Sequence, residues 1–189
     1  MAYYYCNAFE ENATYALKNK LNDTLKKKNI SFEHIVILCI GTDRATGDCL
    51  GPLVGEHLQN ALPSLPVYGN LENPVHALNL QETVQEIYRT HQNPFIIAID
   101  ASLGVQEHIG FATLSLTPLK PGKGVNKKLP AIGNLSITGI VNVAGFPNSI
   151  LLQSTRLHTV VTLANCISNA ICLSYTDANS VSSNRAANM

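Results

Sequence analysis

The chain has 189 residues, 46% hydrophobic and 14% charged, with thirteen basic side chains against thirteen acidic ones. That length fits one domain with an ordinary core, and the composition is globular rather than disordered. The charge balance excludes the basic footprint of a nucleic-acid binder or a membrane-surface protein, so no direct nucleic-acid contact is expected.

The opening "MAYYYCNAFEENATYALKNK" has no cationic start, no long apolar run and no small-residue cleavage site, and reads as no signal peptide. Residues 13–28 read as an amphipathic helix, with Leu17, Leu21 and Leu25 at i+4 steps. "HIVILCI" (34–40) is a short strand buried on both faces, the kind parallel sheets use. A helix follows from about Leu50 to Ala61, with Asp48 suited to its N-cap and Pro52 in the first turn.

"PVYGN" (66–70) is a second strand, and a helix near 79–91 is built on Leu80, Val84 and Ile87. "PFIIAID" (94–100) is the third strand. "GFATLSL" (110–116) and "LSITGIVNV" (135–143) alternate as strands do, and the four-lysine segment between them reads as a mobile loop. A long helix is expected over roughly 149–174. Gln153, Arg156, His158 and Asn165 interrupt that apolar stretch, so no membrane span is read. Strands alternating with helices predict an α/β fold with a three-layer doubly wound sheet, as one domain over 1–175, and residues 176–189 are expected to be a disordered tail.

Chemistry concentrates in "GTDRATGDCLGPLVGEHL" (41–58), a glycine-bracketed loop after the first strand that carries Asp43 and Asp48. It lacks the GxGxxG and GxxxxGK[ST] patterns that cradle phosphates. Ligands of open α/β sheets bind beyond the carboxyl ends of strands, where the strand order reverses. With the order 2-1-3, Asp48 and the Asp100 of "IIAIDASLG" face one crevice. Two close carboxylates share one proton, which suits water activation at an amide carbonyl, and the same oxygens suit a divalent metal. Taken singly, Asp48 reads as a helix cap and Asp43 as an Asx-turn residue.

Cys49 stands at a helix entrance, where a thiol's pKa is expected to fall, but no histidine has an obvious route to it. The six histidines show no HxH or HExxH spacing, and His76 in "NPVHAL" is the one placed near the crevice. Five cysteines without CxxC spacing argue against a disulfide framework and a zinc ribbon, and point to a reducing cytoplasm.

The segments "GTDRATGDCLGP", "AIDASLG", "KPGKGVNKKLPAIGNLSITGIVNV" and "LQSTRLHTVVTLA" together resemble the YyaC-type sporulation proteins of spore-forming Firmicutes, over about residues 33–173. A more distant resemblance runs to the germination protease of spores, and beyond it to the hydrogenase maturation proteases with their phosphorylase/hydrolase-like fold. In the germination protease two aspartates at these strand ends are regarded as essential. By motif their counterparts are Asp48 in "TGDCLGP" and Asp100 in "IDASLG", with Asp43 and His76 as accessory candidates.

The resemblance thus implies a cytoplasmic endopeptidase of sporulation or germination, acting on a spore protein or peptide; no cofactor is expected, with a divalent metal left open. A homo-oligomer is the expected assembly. Hydrogenase maturation proteases place an acidic metal ligand directly after the first aspartate, where this chain has Cys49, which weakens a nickel-sensing role. Two alternatives stand beside the peptidase: a catalytically silent binding or regulatory protein, for which the lysines Lys123, Lys127 and Lys128 offer a contact, and a metal-dependent hydrolase with Asp48 and Asp100 as ligands.

Overall fold

The structure is a computed structural model that describes residues 3–121, 131–145 and 147–186. The lysine-rich segment 122–130 lies outside the described residues. Six strands form one mixed sheet: β1 (Tyr4–Asn7), β2 (Ile35–Cys39), β3 (Val67–Tyr68), β4 (Phe95–Gly104), β5 (Phe111–Ser115) and β6 (Leu135–Val143), in the order β1-β5-β6-β4-β2-β3. The four strands β3, β2, β4 and β6 run parallel, and β5 and β1 continue the sheet antiparallel. The 2-1-3 order expected of the first three predicted strands is the observed β3-β2-β4.

Strand alternation sorts the core into two layers, because successive side chains leave opposite faces of a strand. Ile35, Ile37, Cys39, Ile97 and Ile99 pack with α1 (Ala13–Lys27), α2 (Leu50–Ala61) and the C-terminal helix. Val36, Leu38, Ile40, Ile96 and Ala98 face the other way, against Leu80 and Ile87 of α3 (Leu80–Thr90). Helices on both faces of the sheet give the three-layer α/β arrangement. All five β2 residues are buried, which fits an "IVILC" with no polar side chain. Each such Ile or Leu, fully buried, contributes about 1.5–3 kcal/mol.

Three features differ from the sequence reading. The Tyr-rich N-terminus forms β1, an edge strand paired with β5, where a four-residue strand leaves too little periodicity to read. The long helix expected over 149–174 is two helices, α4 (Asn148–Gln153) and α5 (Leu157–Ala186). At the break, Thr155 Oγ1 donates to the Leu151 carbonyl at 2.8 Å, and the same carbonyl accepts from Asn142 Nδ2 at 2.8 Å. A side-chain hydroxyl bonding back one turn, plus a strand amide on the same oxygen, takes the place of the helical ladder there. Finally, α5 is helical as far as Ala186, into the segment expected to be a disordered tail.

By length and composition α5 could cross a membrane over Leu157–Ser180, with 56% of its most apolar window buried inside the fold. Val160, Leu163, Ile167, Ala170 and Ile171 supply that burial in the core beside α1 and α2. The Lys18 ammonium and Asp177 carboxylate pair at 2.6 Å across α1 and α5.

Candidate active site

The site is built on the tight approach of α2 to the end of β2. Gly41 has φ +144, and a Cβ there would overlap the main-chain oxygen of Asp48. A Cβ on Gly51 would overlap the main-chain oxygen of Ile40. These two glycines let the loop double back on the strand, and Thr42 N–H then donates to the Asp48 carbonyl at 3.1 Å. Residues Thr46–Cys49 form a 3-10 turn leading into α2. Gly47 of this turn lies tight against Thr155 and Leu152, so the helix break between α4 and α5 buttresses the loop.

Asp48 is not the N-cap of α2. Cys49 holds that position, and no side chain there makes a capping bond. The Asp48 carboxylate is half-buried. Burial pushes its pKa up, while a hydrogen bond from the Thr42 backbone and the charge of His76 pull it part of the way down.

Asp100 also differs from its expected place, since β4 runs four residues past it to Gly104. What ends near Asp100 is the neighbouring strand. Pairing of β2 with β4 stops at Cys39↔Ile99, closed by Ile40 N–H on the Ile99 carbonyl at 2.7 Å. On its other side Asp100 is still paired, with Thr138 of β6. The crevice therefore opens where β2 turns away while β4 and β6 continue. Burial first, and then the charge of Asp48, raise the Asp100 carboxyl well above its ordinary value, and the Ala101 backbone offsets a part. Desolvation and a like charge both penalise the ionised form.

His76 reaches the same site from the loop after β3. Val75 forms a bridge with Ile40, and Gly41 N–H donates to the Val75 carbonyl at 2.8 Å. The His76 N–H is held by Asn79 Oδ1 at 2.8 Å, while Asn79 Nδ2 donates to the Pro74 carbonyl at 3.0 Å. The Leu78 N–H donates to His76 Nδ1 at 3.4 Å.

Asp43 stands apart from this trio. It is exposed, and the turn is closed by Thr42, whose Oγ1 accepts from Arg44 N–H and donates to Asp43 Oδ1, both at 3.4 Å. Its electrostatic partner is Cys49. That thiol is raised by burial, then by Asp43 and Asp48, so the lowered pKa expected at a helix entrance is not found. Burial is the larger cause there, and the two nearby carboxylates add to it. Among the described residues no group of three or more His, Cys, Asp or Glu side chains is placed to hold a metal ion.

Beside His76 an open groove of about 560 Å³ runs between β3 and α3. The sequence reading did not find it. The asparagines of "GNLENPVHALN" were the available signal, since they build the loop that forms its wall.

Residues 5–170 match the family described as a protein of unknown function, DUF1256. The chain is also 50% identical over 140 residues to the uncharacterized protein YyaC of Bacillus subtilis (strain 168), covering 74% of this chain and 68% of that relative. The matched span takes in the loop of Asp48, the strand of Asp100 and the loop of His76.

Proposed function

This chain belongs to the DUF1256 family of YyaC-type proteins, and from that premise we propose that it is an endopeptidase of sporulation or germination. The observation that carries the reading is the electrostatic coupling of Asp48 to Asp100, in which the two acids differ in environment. Asp100 has burial and a like charge against ionisation, so it holds the proton. Asp48 is also raised by burial, but the Thr42 N–H and His76 favour its charge in part, so the carboxylate role is assigned to it. Paired acids pushed apart in this way divide the roles of donor and acceptor.

In the proposed reaction Asp48 takes a proton from water as the oxygen attacks the amide carbon. Asp100 gives its proton to the carbonyl oxygen. As the tetrahedral intermediate collapses, the proton on Asp48 passes to the leaving nitrogen and the oxygen returns its proton to Asp100. The products are a carboxylic acid and an amine, and the pair ends as it began. General acid–base steps of this kind contribute about 10²–10⁴-fold each. The likeness of "TGDCLGP" and "IDASLG" to the germination protease supports the same two residues and suggests a small spore protein as substrate.

The test is incubation of the purified protein with small acid-soluble spore proteins from acidic to neutral pH, with and without calcium, followed by mass spectrometry. Discrete fragments at internal bonds support the reading. Intact substrates under every condition count against it.

A further inference from the structure

In the walls of the groove beside His76 the side-chain amides of Gln59, Asn70 and Asn79 are already committed. Gln59 Nε2 donates to the Val67 carbonyl at 2.9 Å, and Asn70 Nδ2 donates to Gln59 Oε1 at 2.6 Å. Asn70 Oδ1 accepts from Asn73 N–H at 2.6 Å, and the Asn79 amide is used on Pro74 and His76. Glu72 and Glu86 remain, exposed on either side of the groove, and among the described residues no lysine or arginine lines it. His76 is among the groove's lining residues, and its charge bears on Asp48. Asp48 and Asp100 do not line the groove themselves, but its wall at Val75 is bonded to the Asp48 loop through Gly41 N–H on the Val75 carbonyl at 2.8 Å. A molecule lying in the groove therefore passes two carboxylates and reaches the histidine that bears on the acid pair.

We infer that this groove is the substrate-binding cleft of the proposed peptidase and selects an extended peptide carrying lysine or arginine beside the bond to be cut. The inference rests on the peptidase reading for its link to cleavage, but its binding preference stands or falls separately. The committed amides give rigid walls, since Gln59 and Asn70 tie α2 to β3 and its following loop. Glu72 and Glu86 then provide the charge complementarity, in a chain whose net charge is zero, so general attraction of cations is small. Exposed ion pairs are individually weak, each amounting to a factor of about two to five in affinity, and two acting together to about tenfold.

Fluorescence anisotropy on the Asp100→Asn protein removes turnover from the measurement. The probes are a fluorescein-labelled Gly/Ser peptide carrying three lysines and its counterpart carrying three glutamates, with spermidine as a competitor. The lysine peptide is expected to bind about tenfold more tightly at low salt. That preference is expected to fall to about twofold or less when Glu72→Gln and Glu86→Gln are added, with spermidine competing weakly. Equal binding of the two peptides, a preference that survives both Gln substitutions, or spermidine binding as tightly as the lysine peptide each overturns the inference. Wild-type protein that prefers the lysine peptide but never cleaves it upholds the cleft and removes the peptidase reading.

Discussion

Asp100 carries the charge of Asp48 in its own titration, although the two lie on different elements and roughly fifty residues apart. Gly41 and Gly51 bring this about by letting α2 close on the end of β2, and the end of β2–β4 pairing leaves Asp100 facing the opening. The two acids are thus unequal by construction, one held up by burial and a like charge and one relieved in part by backbone and histidine.

The stability of the protein should carry the cost of Asp100. Its folded pKa is raised, so the folded state binds more protons than the unfolded state, and stability falls as pH rises from the ordinary carboxylate value through the folded one. Asp100→Asn removes that loss. Its melting temperature should exceed that of the wild type at neutral pH, by about 2–4 °C for each kcal/mol recovered, and the gap should close in acid. A gap independent of pH would point to packing instead.

His76 should set the acid limb of the activity profile. Its charge lowers Asp48, so His76→Gln should raise that carboxyl and move the acid limb of kcat/KM to higher pH. His76→Lys, which keeps a cation, should restore part of the shift. If both variants leave the limb in place and change only KM, the histidine serves binding alone.

Cys49 should be dispensable. Its thiol is held up by burial and two carboxylates, so little thiolate is present at neutral pH and alkylation should be slower than for a free thiol. Cys49→Ala should keep activity within about twofold. Loss of activity with the fold intact would return the cysteine to the mechanism.

Gly51→Ala tests the backbone account. The added Cβ meets the Ile40 main chain, which cannot swing aside as a flexible side chain would. The substitution should cost about 1–3 kcal/mol or more and reduce activity further than the fraction unfolded explains. A variant with wild-type stability would show that α2 does not need this close approach.

Much of the fold that carries the site was legible because its signals are local and periodic. "IVILC" has no polar side chain, Leu17, Leu21 and Leu25 mark one helix face, and Leu50 to Ala61 forms the predicted helix. The rule that ligands bind beyond strand ends where the order reverses put Asp48 and Asp100 at one crevice once the strand order was assumed. What sequence could not supply were the outcomes of competition between partners. Asp48 has the residue type of an N-cap, yet the turn before α2 takes a 3-10 form and leaves its carboxylate uncommitted to the helix. Asp43 has the residue type of a turn-former, yet Thr42 closes the turn. Asp100 sits at the end of an apolar run, yet β4 stays paired with β6 for four residues more, across a register shift between Ser102 and Leu103. The Leu151 carbonyl, shared by Thr155 and Asn142, divides into two helices an apolar stretch that only scattered polar residues interrupt.

The central claim is that Asp48 and Asp100 together activate water on a peptide bond. Its most direct test is the rate of cleavage of a small acid-soluble spore protein by the wild type, Asp48→Asn and Asp100→Asn, with circular dichroism confirming the fold of each. Both variants are expected to lose at least about 10²–10⁴-fold in kcat/KM while remaining folded. Cleavage by either variant at close to the wild-type rate would contradict the claim.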